Sequence, residues 1–318
     1  MSGALAACVS QPTPENAPEA SIALRFEWPD AVELEVQRKY ERTDRSPSGE
    51  RTVQSSGSSL WHGARFPDGY RIQFAPFEYD ANEVPPTSSS RMAQVKYLAR
   101  QFDPVMPAIR VDADARIEST HGVKDIRKAL RGAFMNQPEI WRDPAARSVI
   151  EAVTSIEFLD QRVRQLWSQL VGAWAQSELR IGQSIHHQTS SGGTADEASP
   201  SYLTYSALAR IPCTPPEEVN RCIRLEILQK TDTTDFERSV KPLLGSEFLA
   251  AIPESTKRWA RIDRRFVVET DPATLIPQRS IEEKRFDIFW RDDSGATFNI
   301  GQSEWITLVF TRKDPPET

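Results

Sequence analysis

In Val32-Glu33-Leu34-Glu35-Val36 every second residue is apolar and the residues between are charged. That period predicts a half-buried strand, one face on a core and the other in water. Tyr70-Arg71-Ile72-Gln73-Phe74 repeats the alternation after Pro67-Asp68-Gly69, a predicted tight reversal in which glycine tolerates the positive φ the turn demands. A weaker, serine-rich pattern over 51–62 predicts the strand before that turn, and 44–49 reads as the turn before it. Further strands are predicted at 109–111, 115–119, 179–185, 202–211, 222–230, 259–270, 281–290 and 304–311, with Asp292-Asp293-Ser294-Gly295 as a hairpin turn. Helical spacing is strongest over 146–174, where Val149, Val153, Ile156, Leu159, Val163, Leu166, Leu170 and Trp174 recur every three or four positions and predict one stripe facing a core. Shorter helices are predicted at 92–102, at 123–134 and around Phe236, Val240, Leu243, Leu244 and Phe248, while 85–90 and 189–200 read as loops.

The order is strands, helices, strands, helix, strands, with no repeat of fixed period. Strands joined by hairpin turns, with the helices segregated from them, favour the α+β class over alternating βα units. The expected architecture is a curved antiparallel β-sheet, a half-barrel, wrapped around a long amphipathic helix with shorter helices beside it. At 318 residues the chain suits one large domain over 21–318, preceded by a flexible tether over 1–20.

Composition narrows the class. An apolar fraction of 39% lies somewhat below the globular norm of about 45–50%, so the chain folds with solvated segments attached. A net charge of -6 with both signs interspersed argues against a nucleic-acid partner, which would require a basic surface that releases counterions from the nucleic acid. No run approaches the roughly 18 apolar residues that span a bilayer as a helix.

The three cysteines add a compartment. Cys213 and Cys222 bracket a prolyl, polar stretch between two predicted strands, so a disulfide there would staple a hairpin, as only an oxidising compartment permits; the alternative is two free thiols in a cytosolic protein. Leu5-Ala6-Ala7-Cys8 is small and apolar up to the third cysteine, and a Pro, Gln, Glu and Ala stretch follows. This segment resembles the lipobox of bacterial lipoproteins, which implies cleavage before Cys8 and a lipid on its thiol that anchors the chain to a membrane. Met1-Ser2-Gly3-Ala4 supplies neither the basic nor the apolar part of a signal peptide, so the lipobox implies a start upstream of Met1; the alternative is a frayed terminus with a thiol. In that family an aspartate after the cysteine favours the inner membrane, so Val9 points to the periplasmic side of the outer membrane. Together with the element order, the box resembles the carriers of bacterial lipoproteins, the LolA-like fold. That likeness implies an inner sheet face, lidded by helices, which holds an acyl chain or another apolar ligand.

Side chains for chemistry are sparse. His186 and His187 are adjacent on a predicted strand, point to opposite faces and cannot reach one metal, and no spacing with His62 or His121 suits zinc. Asp112 and Asp114 share a predicted strand face, as an acid–base pair or a calcium site requires, though a solvated strand end has the same pattern. No nucleophile elbow, Ser-x-x-Lys set or phosphate-cradling glycine turn occurs. No metal, cofactor or catalytic residue is therefore expected. Trp167 and Trp174 lie one heptad apart on nearly one helix face, with Leu170 between them, and Trp290 and Trp305 sit in late strands. These five are the candidates for lining a cavity, against the alternative that they merely fill a core. The expectation is a non-enzymatic envelope lipoprotein that binds an apolar ligand, a lipid among them, or an envelope protein partner on the inner face of its sheet. The alternatives are an interaction or scaffold lipoprotein without a ligand, and a hydrolase of unknown substrate that Asp112 and Asp114 would have to serve.

Overall fold

The structure is a computed structural model that describes residues 21–46, 49–79, 105–136, 138–191, 199–213, 221–231, 233, 257–291 and 294–313. Cys8 with the tether, the loop read at 85–90, the predicted helices at 92–102 and 236–248, and Asp292 and Asp293 of the predicted hairpin turn lie outside these residues. Among the described residues the dominant element is one open antiparallel sheet of 12 strands. In chain order its strands are β2 (Ala31–Ser46), β3 (Gly49–Phe66), β4 (Gly69–Phe74), β5 (Glu78–Tyr79), β6 (Ala108–Asp112), β7 (Ile117–His121), β9 (Ser184–Ser191), β10 (Ser199–Ile211), β11 (Cys222–Thr231), β12 (Lys257–Thr270), β13 (Pro277–Arg291) and β14 (Thr297–Lys313). Two short strands, β1 (Ile22–Ala23) and β8 (Glu178–Leu179), pair apart from it.

In space the strands run β7-β6-β4-β3-β2-β14-β13-β12-β11-β10-β9, with β5 added on β3. The two terminal long strands, β2 and β14, pair at the middle over residues 33–45 and 301–313. The chain leaves the sheet at one edge, β7, and re-enters at the other, β9, and the helices connect the two edges. They are α1 (Val123–Met135), α2 (Pro138–Trp141), α3 (Pro144–Val153) and α4 (Ile156–Trp167), with a π-helical turn at Ser168–Gly172 that extends α4.

The expected long helix over 146–174 is not formed. The apolar stripe runs through, but the backbone breaks at Thr154-Ser155. The Thr154 hydroxyl donates to the Ile150 carbonyl at 2.7 Å, and Ser155, extended at φ −66° and ψ 153°, caps α4 by accepting from the Phe158 N–H at 3.1 Å. Serine and threonine hydroxyls compete with the helix ladder in this way. The π turn follows, with the Ala173 N–H reaching the Ser168 carbonyl at 2.8 Å. The segment read as one strand over 179–185 also divides, because a turn at 180–183 separates β8 from β9. β9 runs on to Ser191 and β10 starts at Ser199, so the loop read over 189–200 is shorter than its composition suggested.

The alternation read from the sequence divides the sheet into two faces. The outer face carries paired charges, such as Lys313 with Glu35 at 3.2 Å and Arg224 with Glu269 at 2.8 Å. Surface pairs of this kind contribute little, about 0–1 kcal/mol each. The inner face is apolar, and Val36, Ile72, Ile109, Leu225 and Val268 from five of its strands join Val163, Trp167 and Leu170 of the helix layer in one core. A segment without a strand prediction, Ile22, Leu24, Phe26 and Trp28, alternates buried and exposed across this interface, and both Phe26 and Trp28 lie 5.7 Å from the Trp167 ring.

Candidate functional site

A cavity of about 330 Å³ lies between the inner face and α4. The sheet supplies Arg38 of β2, Trp61 of β3, Arg264 and Phe266 of β12, Ser280, Glu282 and Lys284 of β13, and Ile306 and Leu308 of β14. These residues meet because of the register. Leu308 pairs with both Arg38 and Ser280, Ile306 with Glu282, and Glu282 with Phe266. Arg38, Leu308 and Ser280 form one row on the face of the pleat, and Ile306, Glu282 and Phe266 the adjacent one.

The opposite wall is the second face of α4. Phe158, Gln161, Arg162, Gln165 and Leu166, with Gln169 of the π-helical turn, line the cavity at helical spacing, beside the buried stripe Leu159, Val163 and Trp167. Phe77 and Met106 complete the lining. Phe158 is 40% exposed, so one aromatic ring stands at the entrance in contact with water.

The polar part of the lining is a network. The Arg264 guanidinium donates to Glu282 at 2.6 Å and lies against the Gln165 side-chain amide, whose oxygen accepts from it once the amide is turned to satisfy both groups, and Lys284 lies 3.6 Å from the same Glu282. Arg38 is buried, donates to the Tyr79 hydroxyl at 3.2 Å and sits 5.3 Å from the Tyr40 ring centre. One row further along the pleat, Arg42, Glu304, Lys284, Arg264 and Gln229 stand directly opposite one another across five strands. Burial alone would lower the Arg42 pKa, but its hydrogen bond to Asp44 and the charges of Asp44, Tyr40 and Glu304 hold it above the ordinary guanidinium value. This polar rung separates the main core from a smaller apolar cluster on the same face, Ala260, Ile288, Trp290 and Ile300. The Trp61 indole N–H is buried and has no acceptor among the described residues. An unmet buried donor costs about 1–3 kcal/mol, which sets Trp61, with Trp28 of the main core, apart from Trp167 and Trp174, whose N–H groups are satisfied.

None of the five residues singled out from the sequence lines this cavity. Trp167 is buried in the core, where its N–H donates to the Ala115 carbonyl at 2.7 Å. Leu170 lies in the same core, and Trp174 packs edge-on against Tyr205 with its N–H on the Gln169 carbonyl at 2.9 Å. Trp290 belongs to the smaller cluster and stacks on Phe298, while Trp305 stands on the outer face, 37% exposed. Trp61 takes the lining role.

The other candidates are also placed. His186 bonds to Thr204 and His187 contacts Tyr205, neighbours on opposite faces of β10, as adjacent strand positions require. His62 faces Glu33 at 3.2 Å, and His121 bonds to Ser119. Asp112 and Asp114 do not share a strand face. β6 ends at Asp112, whose carboxylate accepts from the backbone N–H groups of Asp114 and Arg116 at 2.9 and 2.8 Å, and Asp114 faces Arg116 at 3.6 Å. The carboxylate thus organises the turn to β7. Among the described residues no group of His, Cys, Asp and Glu is arranged to hold a metal ion, and no helix is long and apolar enough to cross a membrane. The predicted staple is present: Cys213, just past β10, bonds Cys222, the first residue of β11, with their Cα atoms 5.1 Å apart.

Fold and site together define an open antiparallel sheet with a helix-lidded, part-apolar cavity. No family model and no curated protein matches the sequence. Among solved structures, lipovitellin is similar over 92% of this chain at 10% identity and a TM-score of 0.39, and the chain spans 26% of the lipovitellin chain. OpdL of Pseudomonas aeruginosa is similar over 89% of this chain and 99% of its own, at 8% identity and a TM-score of 0.20. OpdQ of the same organism gives 90% and 100%, with 10% identity and a TM-score of 0.19. Likenesses at these scores carry no argument about function.

Proposed function

We propose that the chain is a non-enzymatic lipoprotein of the bacterial envelope that holds an apolar ligand between the inner face of its sheet and α4. The observation that carries this reading is the cavity, whose size falls within the roughly 300–1,000 Å³ of small-ligand sites and whose walls combine apolar side chains with a few convergent polar groups. The envelope part is supported by the Cys213–Cys222 disulfide, a bond that persists in oxidising compartments, and by the lipobox-like Leu5-Ala6-Ala7-Cys8. On this reading the sheet is the half-barrel of the lipoprotein carriers, α4 is its lid, and the lipid on Cys8 tethers it to the outer membrane.

The test is binding of the neutral fluorophore N-phenyl-1-naphthylamine to the purified chain, with native mass spectrometry of protein extracted gently from membranes. Saturable fluorescence and a co-purifying lipid are expected, and Leu166→Trp, which fills the cavity from α4, is expected to remove both while leaving the far-ultraviolet spectrum unchanged. A wild-type chain that neither binds the probe nor carries a lipid overturns the ligand reading in favour of a scaffold. Intact mass of the chain from its native host tests the anchor, with acylation at Cys8 expected and an unmodified thiol overturning it.

A further inference from the structure

We infer that β9 is a docking edge for a second copy of this chain, the two sheets joining through their β9 strands, antiparallel about a two-fold axis. The inference is independent of what the cavity holds. β9 is the last strand of the open sheet, and among the described residues nothing pairs with it on the side away from β10. Gln183 accepts from the Ala207 N–H of β10 at 3.3 Å, so by alternation Ile185 and His187 turn their backbone groups to β10, and Ser184, His186 and Gln188 turn theirs outward. All five of these β9 residues are exposed, Ile185 at 39%.

A free edge is a template for another strand, and proteins guard such edges with charges, proline or a covering element. The other edges of this sheet are guarded. β7 carries Glu118, held by Arg110 of β6 at 3.0 Å, and α4 reaches it, with Arg164 donating to the Ile117 carbonyl at 3.4 Å and Asp160 accepting from Thr120. The part of β3 that runs on beyond β5 carries Glu50 and Arg51. β9 lacks these devices: among the described strands of five residues or more, it alone contains no Asp, Glu, Lys, Arg or Pro. Self-pairing suits such a strand. Antiparallel copies match outward N–H to outward C=O groups, and the obstacle is a like charge, which a two-fold axis brings up against its own copy. Two chains of net charge -6 therefore meet where neither carries a charge, while a foreign partner would find none to select it by. Residues directly opposite in an antiparallel pair share a face, so the axis passes through a residue. Overlap is longest with the axis at His187 or Gln188, which pairs 184–190 or 185–191 with their copies. Because the β7 edge is guarded, head-to-tail addition is blocked and the assembly closes at two.

Sedimentation equilibrium of the full chain tests this. A reversible, concentration-dependent equilibrium between 35.9 kDa and twice that mass is expected. Gln188→Lys sets two ammonium groups opposite or diagonal to each other in either register and is expected to weaken the dimer about tenfold or more. Gln188→Pro, which removes an outward N–H and leaves the ladder to β10 intact, is expected to do the same. Both variants should keep the wild-type far-ultraviolet spectrum. In the wild type, hydrogen exchange at the His186 and Gln188 amides should slow as the protein concentration rises, a readout that needs no variant. A chain that sediments as a monomer at every concentration overturns the inference. So does a dimer that both variants leave intact, or one in which exchange at His186 and Gln188 ignores concentration, since the contact then lies elsewhere.

Discussion

At Asp160 one carboxylate joins two elements, accepting from the Thr120 hydroxyl of β7 at 2.7 Å and from Arg164 one turn further along α4 at 2.7 Å. Burial pushes its pKa up, but these two hydrogen bonds and the charge of Arg164 outweigh burial and hold it below the ordinary carboxylate value. A group depressed in the folded state stabilises the fold above its unfolded pKa of about 4, and that contribution is lost as the pH falls through the folded value. The urea midpoint of the wild type should therefore exceed that of Asp160→Asn by a constant margin between pH 5 and 8, and the margin should close below about pH 4. A margin independent of pH would mean that the carboxylate charge does nothing there. At Gly69 sequence logic named a residue for one of its two reasons, since its φ of +158° is in the positive range expected there. Pro67-Asp68-Gly69 was legible as a turn, but Phe66 pairs with Gly69, so Pro67 and Asp68 form the reversal. Gly69 is needed because a Cβ there would come within 1.9 Å of the Val111 carbonyl oxygen of β6, a neighbour more than forty positions away that no local pattern announces.

Between α3 and α4 the apolar stripe continues while the helix does not, and for this reason the break was invisible to periodicity. A period reports which side faces the core. It is silent about a serine that caps within the stripe. Because Ser155 satisfies the Phe158 N–H, Ser155→Ala should lower stability by about 0.5–2 kcal/mol, seen as a lower urea midpoint with an unchanged slope. If the cap is superfluous and the helix can run through Thr154, the midpoint will not move. The glutamines of α4 held a signal that was missed. Gln161, Gln165 and Gln169 recur every fourth position beside the apolar stripe, and all three face the cavity. Uncharged polar residues in a row suit a face that meets neither bulk water nor a dry core. Strands β10, β11 and β12, by contrast, were legible almost whole, because one face of each is packed and the other wet, the condition under which a period of two is strictest, whereas the stretch read at 304–311 is less than half of β14.

Across the molecule, antiparallel pairing and segregated helices followed from the order of elements, but the position of β2 beside β14 did not, since that pairing joins the two ends of the chain. The cavity was illegible for the same reason: its walls come from β2, β3, α4, β12, β13 and β14, and only the register puts Arg38, Leu308 and Ser280 in one row. That register has an energetic consequence. The rung Arg42, Glu304, Lys284, Arg264 and Gln229 interrupts the inner face, so the long strands β12, β13 and β14 rest on two apolar clusters of unequal size. On one side lies the main core with Val268, Phe266, Leu308 and Phe310, backed by the helix layer; on the other, among the described residues, lie Ala260, Ile288, Trp290 and Ile300 with their partly buried neighbours. In the rung Arg42 and Glu304 pair at 4.0 Å, while Arg264 and Lys284 pair with Glu282 in the row beside it; none of these contacts transmits apolar packing, so opening beyond the rung forfeits the small cluster. The free energy of a local opening rises with the apolar surface it exposes, from near zero up to the global value. Amide hydrogen exchange should therefore fall into two tiers within the same strands. Protection at 266–270, 278–282 and 306–310 should approach the global stability from urea unfolding, and protection at 258–262, 286–290 and 298–302 should be lower by a factor of about ten or more. Equal protection along the full length of β12, β13 and β14 would show that the rung couples the two clusters into one cooperative unit, and that its ion pairs hold the inner face together where the apolar packing stops.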